Sequence, residues 1–294
     1  MPKIAYLTKQ FKGPALALIQ TADDIINEYQ ADGLSLTLRQ LYYQFVSRGL
    51  IPNKQAEYKR LGNIISNARL AGYLDWTAIE DRTRNLVGNS HWENPGQIIR
   101  AATRGFRMDH WGNQHYRPEV WIEKEALVGV IESACREMDV DFFACKGYVS
   151  QSEMWSAAVR IDHTIGTGQE PVIIHLGDHD PSGMDMTRDI KDRLELFIDE
   201  PLIVERIALN MDQIEKYNPP PNPAKTTDSR FNAYIKEFGY ESWELDALEP
   251  RVLRELISNT VEGYRDWDDY DTLIKREEDY LKVLKRIEDN WETL

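Results

Sequence analysis

Apolar residues recur at helical spacing in the first quarter of the chain and in short β-branched runs after it. The helical spacing predicts three early helices, at 14–30, 38–47 and 55–70. The short runs predict four strands, at 120–122, 141–148, 171–176 and 202–209. Because predicted helices separate the first three strands, the strands are expected to form a parallel sheet with right-handed crossovers. The pattern therefore predicts an α/β protein with a helical N-terminal region and, at 267–291, a C-terminal helical extension.

The three early helices, followed by a hairpin predicted around 74–84, fit a winged helix-turn-helix. Its recognition helix would carry Lys59, Arg60 and Arg69. The alternative is a three-helix bundle with ordinary surface cations. The predicted organisation has three parts: a winged-helix DNA-binding domain at 1–88, a connecting segment at 89–117, and the sheet domain with its C-terminal helices at 118–294.

Charge is distributed unevenly between these regions. The 294 residues include 35 Lys and Arg and 49 Asp and Glu, a net charge of −14, which by itself argues against a nucleic-acid-binding protein. Residues 1–118, however, hold 15 basic and 10 acidic residues (15 − 10 = +5), and residues 119–294 hold 20 and 39 (20 − 39 = −19). A basic front and an acidic back predict two domains with different partners.

Cysteine content and hydropathy restrict the class of protein further. Cys135 and Cys145 form no Cys-x-x-Cys pair, so buried free thiols are expected and not a disulfide framework or a zinc cluster. No apolar run approaches the roughly 20 residues of a membrane helix, and the first residues lack signal-peptide features. The chain is therefore expected to be cytoplasmic, with no membrane partner.

Carboxylates follow two of the predicted strands. Glu123 ends the first strand, and Asp178 and Asp180 follow the third within Gly-Asp-His-Asp-Pro-Ser-Gly. Because parallel strands end at one rim of a sheet, these residues and Lys146 are expected to lie on the same rim. Hard oxygen ligands held this close suit Mg²⁺. The alternative for Asp178 and Asp180 is a solvated acidic turn that caps the next helix.

The second predicted helix contains the run Arg39-Gln40-Leu41-Tyr42-Tyr43. Arg39 and Tyr43 are four residues apart and therefore share a helix face. A phenol is a poor nucleophile until a cation or metal stabilises the phenolate, and an arginine can also hold a phosphate at the attack position. The alternative is that Tyr42 and Tyr43 are half-buried aromatic residues with a packing role only.

Taken together, these motifs resemble a known family. Glu after one strand and Asp-x-Asp after another is the Toprim pattern of topoisomerases, bacterial primases and some nucleases. The segments 123–126, 146–148 and 178–183 look like the Toprim domain of the topoisomerase VI A subunit and its relative, the meiotic double-strand-break transesterase; 243–248 resembles a segment near the end of that domain. The family places a winged-helix domain in front, with the catalytic tyrosine last in Arg-Asp-(Ile/Leu)-Tyr-Tyr. Arg39 to Tyr43 occupies that place here.

The resemblance implies a DNA-cleaving transesterase. Tyr43 would attack a backbone phosphate of double-stranded DNA and form a 5′-phosphotyrosyl link, with Arg39 steadying the phosphate. Mg²⁺ bound by Glu123, Asp178 and Asp180 would stabilise charge on the transferring group. Lys146 would supply a further cation. Gln40 departs from the family pattern, which usually has Asp at this position.

The resemblance also implies a homodimer in which the tyrosine of one protomer faces the carboxylates of the other. An independent reason for a dimer is that cutting both strands of a duplex needs two active sites, and the chain has one set of motifs. The sequence contains no Gly-rich phosphate loop, so ATP-driven strand passage would need a separate B-type ATPase partner.

Two other functions stay open at the level of sequence. One is a Toprim nuclease that keeps the metal but uses water as the nucleophile. The other is a non-catalytic module that binds DNA and recruits a partner through its acidic half.

Overall fold

The computed structural model describes residues 3–32, 34–79 and 91–291. The fold is mixed α/β with a four-stranded parallel sheet, which confirms the predicted class. The N-terminal region forms three helices, as predicted: α1 (Gly13–Ala31), α2 (Leu38–Ser47) and α3 (Gln55–Leu70). Residues 80–90 are outside the described residues. The predicted domain boundary at 88 and part of the predicted hairpin at 74–84 fall within them.

Helix α2 begins with a capping box. The amide of Gln40 donates to the hydroxyl of Thr37 over 3.2 Å, and the Thr37 amide donates to the Gln40 side chain over 2.8 Å. Two backbone donors that the first helical turn leaves free are satisfied in this way. Gln40, where the resembled family has Asp, therefore serves to begin its own helix.

The three helices share an apolar core. Leu41 and Phe45 of α2 are fully buried between α1 and α3, and Ala247 from the C-terminal half packs into the same cluster. Polar contacts join the same two halves: the Asn53 amide donates to the Asn222 side chain over 3.0 Å, and Arg251 forms an ion pair with Asp32.

The second region holds the sheet. Its strands are β1 (Tyr116–Ile122), β2 (Asp141–Ala144), β3 (Glu170–Leu176) and β4 (Ile203–Ala208), in the order β2-β1-β3-β4. The larger helices of this region are α4 (Pro95–Gly105), α5 (Val128–Glu137), α6 (Gln151–Gly166) and α7 (Pro181–Ile198). After β4 come α8 (Met211–Tyr217), α9 (Phe231–Phe238), α10 (Pro250–Gly263) and α11 (Trp267–Asn290).

Both faces of the sheet are covered, because side chains alternate along each strand. Val120 and Ile174 pack in a cluster with α5 and α10, whereas Trp121 and Ile173 pack in a cluster with α6 and α7. Cys135 and Cys145 are buried free thiols, as predicted, and burial raises the pKa of each to about 12. Among the helices of the described ranges, none combines the length and apolar character that a membrane crossing requires.

Two predicted boundaries were wrong for local reasons. The second strand ends at Ala144 and not at 148, because Lys146 and Gly147 adopt positive φ angles of 56° and 87° and turn the chain. Pro181 and Gly183 predict a turn and a helix that starts near Met184. Helix α7 instead begins three residues earlier, at Pro181, since Asp180 caps it and proline is favourable in a first turn.

After α8, the run of prolines within residues 218–223 predicts a stiff polyproline-like connector. Its end instead forms a short strand, β5 (Asn222–Pro223), which pairs antiparallel with β6 (Glu241–Ser242). This small ribbon carries Asn222 to the N-terminal helices.

Candidate active site at the rim of the sheet

The loops that follow β1 and β3 lie side by side and form what we call the rim (residues 123–124 and 177–180). The amide of Asp178 donates to Oε2 of Glu123 over 2.8 Å. Glycine is required at 183, because a Cβ there would lie 2.2 Å from the Asp178 carbonyl oxygen. A Cβ at Gly177 would lie 3.0 Å from Glu123 Oε2, a close contact that the Glu123 side chain would have to accommodate. The predicted meeting of Glu123 and Asp178 is therefore confirmed.

Asp178 and Asp180 have different partners. Oδ1 of Asp178 accepts from the Leu245 amide over 2.7 Å and lies 2.9 Å from Nζ of Lys124. Asp180 caps α7 by accepting from the Gly183 amide over 2.7 Å. The alternative that the sequence left open, a solvated acidic turn that caps the next helix, is therefore confirmed in the capping role of Asp180 and wrong in its solvation, because Asp180 is buried.

Burial affects the protonation of all three carboxylates. It raises the pKa of Glu123 to about 7, with further increases from the charges of Asp178 and Asp180. Burial also raises the pKa of Asp178, against the lowering effect of the Lys124 ammonium. It would raise the pKa of Asp180 as well, but the hydrogen bonds from Gly183 and Ser182 lower that pKa below its usual value.

The carboxylates are chemically suited to a divalent cation but are not arranged as a three-ligand site. Within the described part of the chain, no three His, Cys, Asp or Glu side chains are placed so that they could hold a metal ion together. Oδ1 of Asp180 accepts at the helix terminus and its Oδ2 lies 3.3 Å from Nζ of Lys225, whereas Glu123 and Asp178 are directly joined through the Asp178 amide. Because Mg²⁺ often takes only one or two protein carboxylates, these two residues fit it, and the full set stays a prediction.

Glu244 and Asp246, which we call the second acidic pair, lie next to the rim. Asp246 belongs to the turn Leu245–Ala247, and Glu244 directly precedes that turn. Nζ of Lys124 lies 3.0 Å from Glu244 and 2.9 Å from Asp246, in addition to its contact with Asp178. Arg39 of α2 contacts the same pair, with an ion pair to Glu244 and an Nε to Asp246 Oδ2 distance of 2.8 Å. The second acidic pair therefore connects α2 to the rim.

Arg39 and Tyr43 share a face of α2, as predicted. The guanidinium carbon of Arg39 lies 5.8 Å from the centroid of the Tyr43 ring. Tyr43 is only 4% exposed. Burial raises the pKa of its phenol, and the charge of Asp246 raises it further, while Arg39, Lys124 and the Asn222 side chain lower it. The phenol is thus protonated in this arrangement and has cations beside it.

Tyr42 has a structural role that distinguishes it from Tyr43. Its hydroxyl accepts from the Lys54 amide over 2.8 Å and donates to the Asn53 side chain over 3.0 Å. These bonds fix the turn before α3. The interpretation of these tyrosines as packing residues therefore fits Tyr42.

Lys146, the predicted additional cation, follows β2 at the same rim, where the Gly147 amide donates to the Glu123 carbonyl oxygen over 3.3 Å, but its side chain pairs elsewhere. Its ammonium is 2.8 Å from Glu125, and the side chain is 62% exposed. Lys124 is the ammonium that contacts Asp178. Sequence reasoning passed over Lys124, although its position directly after Glu123 at a strand end was a usable signal.

His179, between the two aspartates, is a buried structural residue. Its Nδ1 lies 2.8 Å from the Tyr234 hydroxyl, and its ring packs against Phe238 and Trp243. Burial lowers its pKa to about 4, helped by the charge of Arg206. A neutral, enclosed imidazole with these partners holds the loop in place and is unsuited to act as an acid at neutral pH.

Arg206 of β4 supports the rim from below. Its Nη2 donates to the carbonyl oxygens of Gly177 and Asp178 over 2.9 and 2.7 Å, and its Nη1 donates to that of Gly183 over 2.9 Å. Burial lowers the pKa of Arg206 to about 10, although nearby carboxylates partly oppose this. The strand pattern at 202–209 contained no signal for this role, because a charged residue in a strand usually faces solvent.

We expect Arg206→Met to lower the free energy of unfolding by about 3 kcal/mol or more, because the substitution leaves buried carbonyl oxygens of the rim without a hydrogen-bond donor. Urea denaturation followed by circular dichroism measures this. The matched control is Arg188→Met on the surface of α7, whose ion pairs are exposed and worth about 1 kcal/mol or less. Equal losses for the two variants would contradict a supporting role for Arg206.

A cleft of about 300 Å³ opens beside Tyr43. Its lining includes Arg39, Tyr43, Asn53, Tyr58, Asn222 and Glu244. The cleft thus lies where α2, the β5–β6 ribbon and the second acidic pair meet. Comparison of the chain with protein-family models, with curated proteins and with solved structures found no match.

Proposed function

We propose that the chain is a DNA-cleaving transesterase of the topoisomerase VI A type, with a winged-helix domain in front of a Toprim domain. One observation carries the proposal. Arg39 and Tyr43 of α2 lie against the rim through the contacts of Arg39 and Lys124 with Glu244 and Asp246. A nucleophile, two cations and the metal-ligand candidates are thus gathered from segments far apart in sequence.

The proposed reaction exchanges one phosphodiester for another. The Tyr43 oxygen forms a bond to phosphorus while the bond from phosphorus to the 3′ oxygen breaks, giving a 5′-phosphotyrosyl link. The phenol loses its proton and the 3′ oxygen gains one, so no co-reactant is consumed. Arg39 binds the phosphate and lies beside the Tyr43 ring, where its charge favours the phenolate.

Mg²⁺ held by Glu123 and Asp178 would supply positive charge to the transferring phosphoryl group and the leaving oxygen. The chain itself keeps both carboxylates in place, through the Asp178 amide on Glu123 and the Leu245 amide on Asp178. Asp180 holds the start of α7 and so fixes the loop that carries Asp178.

A second candidate function is metal-dependent hydrolysis by water at the same rim. It is favoured by the burial of Tyr43 and by its raised pKa, since a phenol in this state is a weak nucleophile. The rim keeps its geometry without Tyr43, because its internal contacts come from the sheet loops and from Arg206.

Supercoiled plasmid incubated with the protein and Mg²⁺ or Mn²⁺ distinguishes these functions. The reaction is quenched in detergent and run with and without protease. The transesterase leaves cut DNA whose mobility changes on protease treatment, because protein is attached to it. Clean ends identify the hydrolase, and intact plasmid identifies a binding module. Strand passage, as opposed to cleavage, would require a separate B-type ATPase.

The contact of Arg39 with Glu244 and Asp246 of its own chain favours an active site formed within one protomer, in contrast to the shared site implied by the resemblance. We therefore expect a mixture of Tyr43→Phe and Glu123→Gln proteins to stay inactive on plasmid, because each site carries one lesion. Differently tagged chains establish whether the subunits exchange. Protein-linked nicks from the mixture would show instead that two protomers share the site.

A further inference from the structure

Two cations from different parts of the chain meet at one carboxylate oxygen beside Tyr43. Oε2 of Glu244 accepts from the guanidinium of Arg39 and lies 3.0 Å from Nζ of Lys124. The guanidinium carbon of Arg39 also lies 5.8 Å from the centroid of the Tyr43 ring. An oxyanion at this position is therefore bound by two positive charges next to a phenol.

The oxygen is also placed where a ligand can reach it. Glu244 and Arg39 both line the cleft of about 300 Å³ beside Tyr43. Polar side chains of Asn53 and Asn222, bonded to each other over 3.0 Å, line the same cleft. The cleft has a guanidinium and side-chain amides on its wall, and the Lys124 ammonium contacts the wall residue Glu244 from behind. This arrangement suits a small anion with several acceptor oxygens.

The two residues of the second acidic pair differ in their freedom to move. The Asp246 side chain is 2% exposed and touches both cations, whereas the Glu244 side chain is 28% exposed. If Glu244 leaves, Lys124 keeps its contacts with Asp178 and Asp246 and stays in position. Glu244 is therefore the carboxylate that an incoming anion can replace without unpairing buried charges.

We propose that this cleft binds one phosphodiester of the DNA backbone, and that the Glu244 carboxylate occupies the position of its phosphoryl oxygen when DNA is absent. The inference rests on the proposed function and adds two residues to it. Lys124 joins Arg39 as a ligand of the phosphate, and Glu244 acts as an internal competitor. Carboxylate and phosphate both form charge-assisted bonds with these cations, so DNA exchanges one anion for another.

The test is the affinity for a short fluorescein-labelled DNA duplex, measured by anisotropy in metal-free buffer with chelator, where cleavage does not interfere. Glu244→Gln is compared with the control Glu241→Gln. Glu241 is an exposed residue of β6, and its substitution removes one negative charge outside the cleft. We expect Glu244→Gln to bind about fivefold more tightly than this control, the size of one partly exposed charge pair.

The gain must depend on the cations. Because Glu244 pairs with both cations, Arg39→Gln and Lys124→Gln are each expected to reduce the gain that Glu244→Gln brings, measured as the ratio of each double variant to its single cation variant. Equal affinity of Glu244→Gln and Glu241→Gln, or a gain that is undiminished when Arg39 or Lys124 is replaced, would overturn the inference. Formation of a Tyr43 adduct is measured separately with metal, so failure of the proposed function leaves a distinct signature.

Discussion

Replacing Tyr43 with phenylalanine is expected to abolish protein-linked DNA, with a loss of at least about 1,000-fold, the scale seen when an enzyme loses its nucleophile. The substitution removes only the hydroxyl, so the ring keeps its place in the α2 core and beside Arg39. DNA affinity and the helical circular dichroism signal should therefore stay close to those of the parent protein. Covalent adducts are counted after detergent quenching and nuclease digestion of labelled plasmid.

Tyr42→Phe is the matched control, because the neighbouring residue loses the same atom. Its hydroxyl accepts from Lys54 and donates to Asn53, so this variant should lose about 1 kcal/mol of stability and keep adduct formation. An adduct that survives Tyr43→Phe and vanishes in Tyr42→Phe would identify Tyr42 as the nucleophile. Adducts in both variants would eliminate the tyrosine mechanism.

The second large effect is expected at the rim. Glu123→Gln should reduce metal-dependent cleavage by about 100-fold or more, without full rescue by added Mg²⁺, because a carboxylate ligand is lost. The fold should survive. The amide oxygen of glutamine can still accept from the Asp178 amide, and the substitution removes repulsion from two neighbouring carboxylates.

Glu125→Gln controls for the loss of one negative charge near the rim, since Glu125 pairs with the exposed Lys146. It should cleave like the parent protein. Asp178→Asn provides a second test of the metal, because Lys124 retains Glu244 and Asp246 as partners in that variant. Metal-dependent cutting by both Glu123→Gln and Asp178→Asn would place the active site elsewhere.

The sequence predicted the parts of the site that depend on local pattern. Glu123 and Asp178 meet because parallel strands end at the same rim, and Arg39 and Tyr43 share a face because they are four residues apart on a helix. The capping role of Asp180 was also accessible as an alternative, since Asp before proline is typical of a helix start.

The contacts that join these parts were not predictable from pattern. Arg39 and Asp246 are separated by more than half of the chain, and their ion pair depends on how α2 packs on the turn Leu245–Ala247. Arg206 is a charged strand residue, for which exposure to solvent is the usual expectation, and its bonds to the rim carbonyls depend on the three-dimensional arrangement of two loops. The sequence places Lys124 at the end of a strand, but it does not show that the ammonium contacts three carboxylates, those of Asp178, Glu244 and Asp246.

The capping box and apolar core of α2 have a mechanical consequence. Thr37 and Gln40 close the start of the helix, and Leu41 and Phe45 pack it between its two neighbours, so the position of Tyr43 follows that of the helix. The separation between the phenol and the carboxylates is therefore set by how the N-terminal helices pack against the sheet region. Salt weakens exposed ion pairs more than buried ones, so rising ionic strength should loosen the exposed contact of Arg251 with Asp32 before the buried contact of Arg39 with Asp246.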